Sequence, residues 1–130
     1  MEISYTSLVE VQEIEPNDNL AIISIRDKGY SYNLKNHKYM LILEFYDTDP
    51  NKHEITNQRL FNQFDLVMIK NFLSSLPVSV TKIVVHCYAG FSRSPAIAKA
   101  LSVKYGYNLI ESGFPTNPNK FVYDLIMNSN

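Results

Sequence analysis

Three short apolar runs, each closed by a cluster of turn-forming or polar residues, constrain this chain more than any other feature. Leu20-Ala21-Ile22-Ile23-Ser24-Ile25 ends at Arg26-Asp27-Lys28-Gly29, Tyr39 to Phe45 ends at Asp47-Thr48-Asp49-Pro50, and Lys82 to His86 (KIVVH) runs into Cys87. Near-continuous apolar runs of this length read as strands buried on both faces; a one-sided sheet would alternate apolar with polar residues. Between the second and third runs lies a helix with clear punctuation: Asn62 at the N-cap, Asp65 at N3, and Phe61 with Leu66 as a hydrophobic staple. Phe64, Met68 and Phe72 interleave with Leu66, Ile69 and Leu73 at spacings of three and four, which predicts that this helix lies against the sheet. A second helix is expected from Pro95 through Ala96, Ile97, Ala98, Ala100, Leu101 and Val103, stopped by Gly106. A last helix starts near Asn117-Pro118 and buries Phe121, Val122, Leu125 and Ile126. Residues 1–15 read two ways: ISYTSLVEV alternates as an edge strand does, and Leu8, Val11 and Ile14 also make a helical stripe. Apolar strands alternating with helices define an α/β chain, a compact, mostly parallel central sheet flanked by helices and covered on both faces.

Composition narrows the class. The 130 residues suffice for one core, and with no internal repeat or linker-like stretch a single domain spanning 1–130 is expected. Apolar residues at 45% and charged residues at 19% exclude disordered and collagen-like chains. No apolar run approaches the roughly 18 residues that span a bilayer, and Glu2 stands where a signal peptide carries positive charge, so a cytoplasmic protein with no membrane partner is expected. A formal net charge of -1 gives no reason to expect nucleic acid as a partner. The charge is unevenly spread: residues 1–20 hold Glu2, Glu10, Glu13, Glu15 and Asp18 with no Lys or Arg, leaving 12 basic against 8 acidic residues in the rest. A single cysteine cannot form an intramolecular disulfide, and a Cys-His pair supplies too few ligands for structural zinc. Cys87 is either core filling or chemistry.

Ligands of open α/β sheets bind beyond the carboxyl ends of the strands. The loop after the third run reads His86-Cys87-Tyr88-Ala89-Gly90-Phe91-Ser92-Arg93-Ser94 and enters the Pro95 helix. At a helix amino terminus, unpaired N–H groups and the positive end of the helix dipole favour an anion, and hence a thiolate. Curled into a loop, Tyr88, Ala89, Gly90, Phe91 and Ser92 would turn their N–H groups inward as a phosphate-sized nest, with Gly90 accepting positive φ. Arg93 can hold two phosphate oxygens bidentately, and Ser94 can donate to the sulfur as it departs.

These nine residues resemble the His-Cys-x-x-Gly-x-x-Arg-Ser/Thr signature of cysteine-dependent protein phosphatases, in the form typical of the dual-specificity group. The strand before the motif, the Ala-rich helix after it and an Asp-containing loop some 40 residues upstream extend the likeness over most of residues 20–130. In size and in its Asn117-Pro118-Asn119 ending the chain is similar to the small phosphatase-like proteins of bacteria and their phages. The resemblance implies the phosphatase fold and hydrolysis of phosphotyrosine, with phosphoserine or phosphothreonine as further substrates, through a Cys87 thiophosphate. The partner is then a phosphorylated protein or peptide, and neither metal nor other cofactor is needed. His86 is a support for the loop, and Asp47 is the expected general acid, with Asp49 as the alternative. No lysine lies between Cys87 and Arg93, unlike the lysine-rich loops of inositol-lipid phosphatases. Other functions remain open on the same loop: a catalytically weak phosphate-binding module, sulfur transfer and an RNA 5'-triphosphatase, while arsenate reduction is disfavoured by the lack of a second cysteine. The Arg26-Asp27-Lys28-Gly29 turn and the Lys35, His37, Lys38 cluster are expected to be solvated surface charge.

Overall fold

In the computed structural model, residues 1–30, 32–48 and 59–130 are described. Nine elements follow one another among them: β1 (Glu2–Thr6), α1 (Leu8–Val11), β2 (Leu20–Arg26), β3 (Tyr39–Glu44), α2 (Gln63–Ser75), β4 (Lys82–His86), α3 (Arg93–Tyr105), β5 (Asn108–Ile110) and α4 (Lys120–Met127). The strands form one five-stranded sheet in the order β3-β2-β4-β1-β5, and every pairing is parallel.

The pleat divides the core in two. Ala21, Ile23, Ile25, Leu41, Leu43, Ile83 and Val85 face a large cluster shared with α2, α3 and α4. Leu20, Ile22 and Val84 point the other way, onto a smaller cluster with Val11 of α1, and with Leu8, Ile14, Leu34 and Met40 packed against it. Both faces are therefore covered, as near-continuous apolar strands require. The three longer helices share one face, while α1 and connecting segments cover the other.

Both readings of the amino-terminal segment are realised in succession. Residues 2–6 are strand, and Ser7 then caps α1 by accepting from the Glu10 N–H at 3.2 Å. The strand is not an edge, however, because β1 lies between β4 and β5. The alternating pattern arises because its residues pack toward α3 on one side only, with Ile3 and Tyr5 buried and Glu2 exposed. The three-residue β5 had no signal in the sequence, its residues being too few and too exposed for a periodicity.

Helix α2 has the expected capping box, with Asn62 Oδ1 accepting from Asp65 N–H and Asp65 Oδ2 accepting from Asn62 N–H at 3.0 Å. Its buried stripe is narrower than expected: Leu66 and Ile69 are buried, whereas Phe64 is exposed. Helix α3 ends at Gly106 in the left-handed region, φ +71°, as its position after the last apolar residue predicts. Among the described residues no helix is long and apolar enough to cross a membrane.

Candidate active site

Strand β4 delivers His86 and Cys87 to opposite faces of the sheet, a direct result of the two-residue period. His86 is fully buried on the smaller-core side, where its Nε2 meets Ser24 Oγ at 2.6 Å and its Nδ1 meets the Cys87 carbonyl at 3.2 Å. A carbonyl only accepts, so Nδ1 carries the proton and Nε2 accepts from Ser24, whose oxygen in turn accepts from Arg26 Nε at 2.9 Å. Tyr32 meets the imidazole edge-on, with ring centroids 6.2 Å apart. Burial lowers the imidazole pKa to about 4; the Arg26 and Arg93 charges push the same way, and the bond to the Cys87 carbonyl opposes them. His86 is thus a neutral support that touches the loop through its backbone and does not reach the sulfur.

Cys87 is buried, and three donors stand around its sulfur: Gly90 N–H at 3.3 Å, Ser94 N–H at 3.5 Å and Ser94 Oγ at 3.1 Å. The one hydroxyl proton of Ser94 has a second acceptor in the Thr6 carbonyl, 3.4 Å away. Tyr88, Ala89, Phe91 and Ser92 line a concavity of about 220 Å³ together with Cys87, Arg93, Asp27 and Asp47. Gly90 does not line it; its N–H instead turns to the sulfur, at φ +70°. Among the described residues, the N–H groups of Tyr88, Ala89, Phe91, Ser92 and Arg93 have no protein acceptor, leaving them available to an anion.

Arg93, at the first turn of α3, is buried, and its Nη1 donates to Asp27 Oδ1 at 2.8 Å and to the Phe45 carbonyl at 2.9 Å. Both of these partners lie on Nη1, so the Nε–Nη2 edge keeps the planar fork that binds two oxygens of a tetrahedral anion. Asp27 is a correction: the sequence assigns it to a solvated turn, yet it anchors the guanidinium and lines the cavity. Its signal was the place of the turn at the carboxyl end of β2. His37 corrects the second charged cluster, since it is buried and neither ring nitrogen has a hydrogen-bond partner among the described residues, while Lys35 pairs with Glu15.

Asp47 enters from the segment after β3. Its Oδ1 accepts from Ser92 Oγ at 2.7 Å and from Asn119 Nδ2 at 2.9 Å. Ser92 stands at the N-cap of α3, but its hydroxyl is turned to Asp47 instead of capping the helix. Asn119 joins two jobs, because its Oδ1 caps α4 by accepting from Val122 N–H at 3.1 Å. Asn117 and Asn119 also donate backbone N–H groups to the Phe91 and Ser92 carbonyls, each at 3.0 Å, so the Asn-Pro-Asn segment straps the loop. The sequence marks that segment as a helix start, and its hold on Asp47 was not legible there. Asp49, the alternative acid, lies outside the described residues. No group of three or more His, Cys, Asp and Glu side chains among the described residues is placed to hold a metal ion. Comparisons with protein-family models, with curated proteins and with solved structures returned no match for this chain.

Proposed function

We propose that the protein is a cysteine-dependent phosphomonoester hydrolase with the fold of the dual-specificity phosphatases, acting on phosphotyrosine in proteins and also on phosphoserine or phosphothreonine. The observation that carries this reading is one cavity lined by Cys87, Arg93, Asp47 and the loop residues Tyr88, Ala89, Phe91 and Ser92, whose amides, with that of Arg93, have no protein acceptor among the described residues. That set matches what phosphoryl transfer demands: a nucleophile, donors for the equatorial oxygens and a proton source for the leaving group.

The Cys87 sulfur attacks phosphorus, forming the S–P bond as the bond to the leaving oxygen breaks. The loop amides and the Nε–Nη2 edge of Arg93 take the phosphoryl oxygens. Both hydrogen bonds to Asp47 fall on Oδ1, so Oδ2 is the oxygen that delivers a proton to the leaving group. Water then attacks the thiophosphate, its proton passes to Asp47, and the S–P bond breaks with Ser94 Oγ donating to the departing sulfur. A concavity of about 220 Å³ suits a permissive site.

Hydrolysis of p-nitrophenyl phosphate by purified protein tests the reading. Cys87→Ser is expected to abolish turnover, and Arg93→Ala to lower it by on the order of 10² to 10³. Asp47→Asn lowers kcat on a phosphotyrosine peptide by on the order of 10² or more. Its effect on p-nitrophenyl phosphate is smaller, because nitrophenolate leaves without needing the proton. Asp49→Asn is expected to leave both rates near wild type. Turnover that survives Cys87→Ser overturns the mechanism. Binding of phosphate without any turnover by wild type selects the phosphate-binding module instead.

A further inference from the structure

Beside the phosphate cavity lies a second concavity of about 290 Å³, and the two share a wall, since Ala89 and Phe91 line both. The rest of its lining includes Tyr5 at the end of β1, Glu10 of α1, and Phe114 and Pro115 from the segment between β5 and α4. That segment is tethered to the loop it faces by the Asn117 and Asn119 N–H bonds to Phe91 and Ser92. The loop in turn rests on the start of α1, where Leu8 N–H donates to the Tyr88 carbonyl at 3.1 Å. The groove is therefore built from elements fixed to the same loop that holds Cys87. Tyr5 is buried, but the other two aromatic rings of the lining are left in water: Phe114 is 76% exposed and Phe91 47%. Exposed rings grouped in a concavity next to a polar site are the feature that a ligand side chain covers with gain.

We propose that this groove is a specificity subsite that takes the side chain next to the phosphorylated residue and selects a large apolar one over a small or acidic one. The inference rests on the phosphatase reading above, because what reaches a groove adjoining the phosphate cavity is whatever is joined to the phosphate. Charge favours a peptide occupant over a nucleic acid. Glu10 stands in the lining, where its carboxylate repels a phosphodiester backbone and an acidic neighbour.

Two sets of phosphotyrosine peptides test it on the full chain, with Leu, Ala or Asp placed before the phosphotyrosine in one set and after it in the other. In one of the sets kcat/KM is expected to be about tenfold higher for Leu than for Ala, the return on partly burying a leucine side chain, with Asp the slowest. Phe114→Ala brings the Leu-to-Ala ratio within about twofold, and Glu10→Gln raises the Asp peptide relative to the Ala peptide. Equal kcat/KM for Leu and Ala in both sets, or a ratio unmoved by Phe114→Ala, overturns the subsite while Cys87-dependent hydrolysis of p-nitrophenyl phosphate still stands. Absence of that hydrolysis, or its survival in Cys87→Ser, overturns the phosphatase reading and the subsite with it. Faster release of phosphate from an RNA 5'-triphosphate than from any of the peptides also overturns the proposal.

Discussion

Gly90 shows how tightly single residues define this site. Its φ of +70° lies in the left-handed region, and a Cβ there would stand 2.8 Å from Ser7 N and Thr6 C, both backbone atoms. Neither can swing away as a side chain would, so the strain has to be taken up by the loop or by the β1–α1 junction. Gly90→Ala is expected to cost about 2 kcal/mol of stability, readable by urea denaturation, and to lower kcat as well. The activity falls because the displaced N–H is one of the donors to the Cys87 sulfur. Full retention of both properties would mean that the loop tolerates a different path. The same scale explains why Asp27 escaped notice in the sequence. A lone aspartate in a turn has the same local signature whether it faces water or a guanidinium 66 positions away.

Helix α4 couples to the loop through its cap. Asn119 uses its oxygen on Val122 N–H and its amide nitrogen on Asp47 and on the Thr48 carbonyl. Asn119→Ala removes both functions and is expected to lose about 1 kcal/mol of stability along with activity. Asn119→Asp separates them, because a carboxylate still caps the helix but sets a like charge against Asp47 in place of a donor. Thermal melts should therefore place Asn119→Asp nearer wild type than Asn119→Ala, while its kcat on phosphotyrosine peptide falls at least as far. Equal activity of Asn119→Asp and wild type would show that the Asn119–Asp47 bond has no part in orienting the acid. At this scale most helices were legible: the capping box of α2 and the Gly106 stop of α3 are local devices, written within four residues of where they act. Strand β5 and the burial of α2 were not, since both depend on what packs against them.

Across the whole molecule, the buried histidines link stability to pH. Burial lowers the His86 pKa to about 4 from an unfolded value near 6.5. Between those values the unfolded chain binds the extra proton, so this share of stability is complete above about pH 6.5, falls as pH drops toward 4, and falls no further below. Burial also lowers His37, against the raising effect of Glu15, and adds in the same direction. Urea denaturation is expected to find the protein about 2 kcal/mol less stable at pH 5 than at pH 7 on account of His86, with the slope reduced in His86→Gln. A slope unchanged in that variant would assign the pH dependence to other groups. By itself the sequence determined the α/β class, the strand–loop–helix setting of Cys87 and Arg93, the capping box of α2 and the Gly106 stop of α3, because each rests on periodicity or on contacts between near neighbours along the chain. The strand order, the interior position of β1, the pairing of Asp27 with Arg93 and the strap from Asn119 to Asp47 were decided only by the tertiary structure. Each joins residues tens of positions apart, and the local pattern of a chain holds no record of which distant partner will be folded against it.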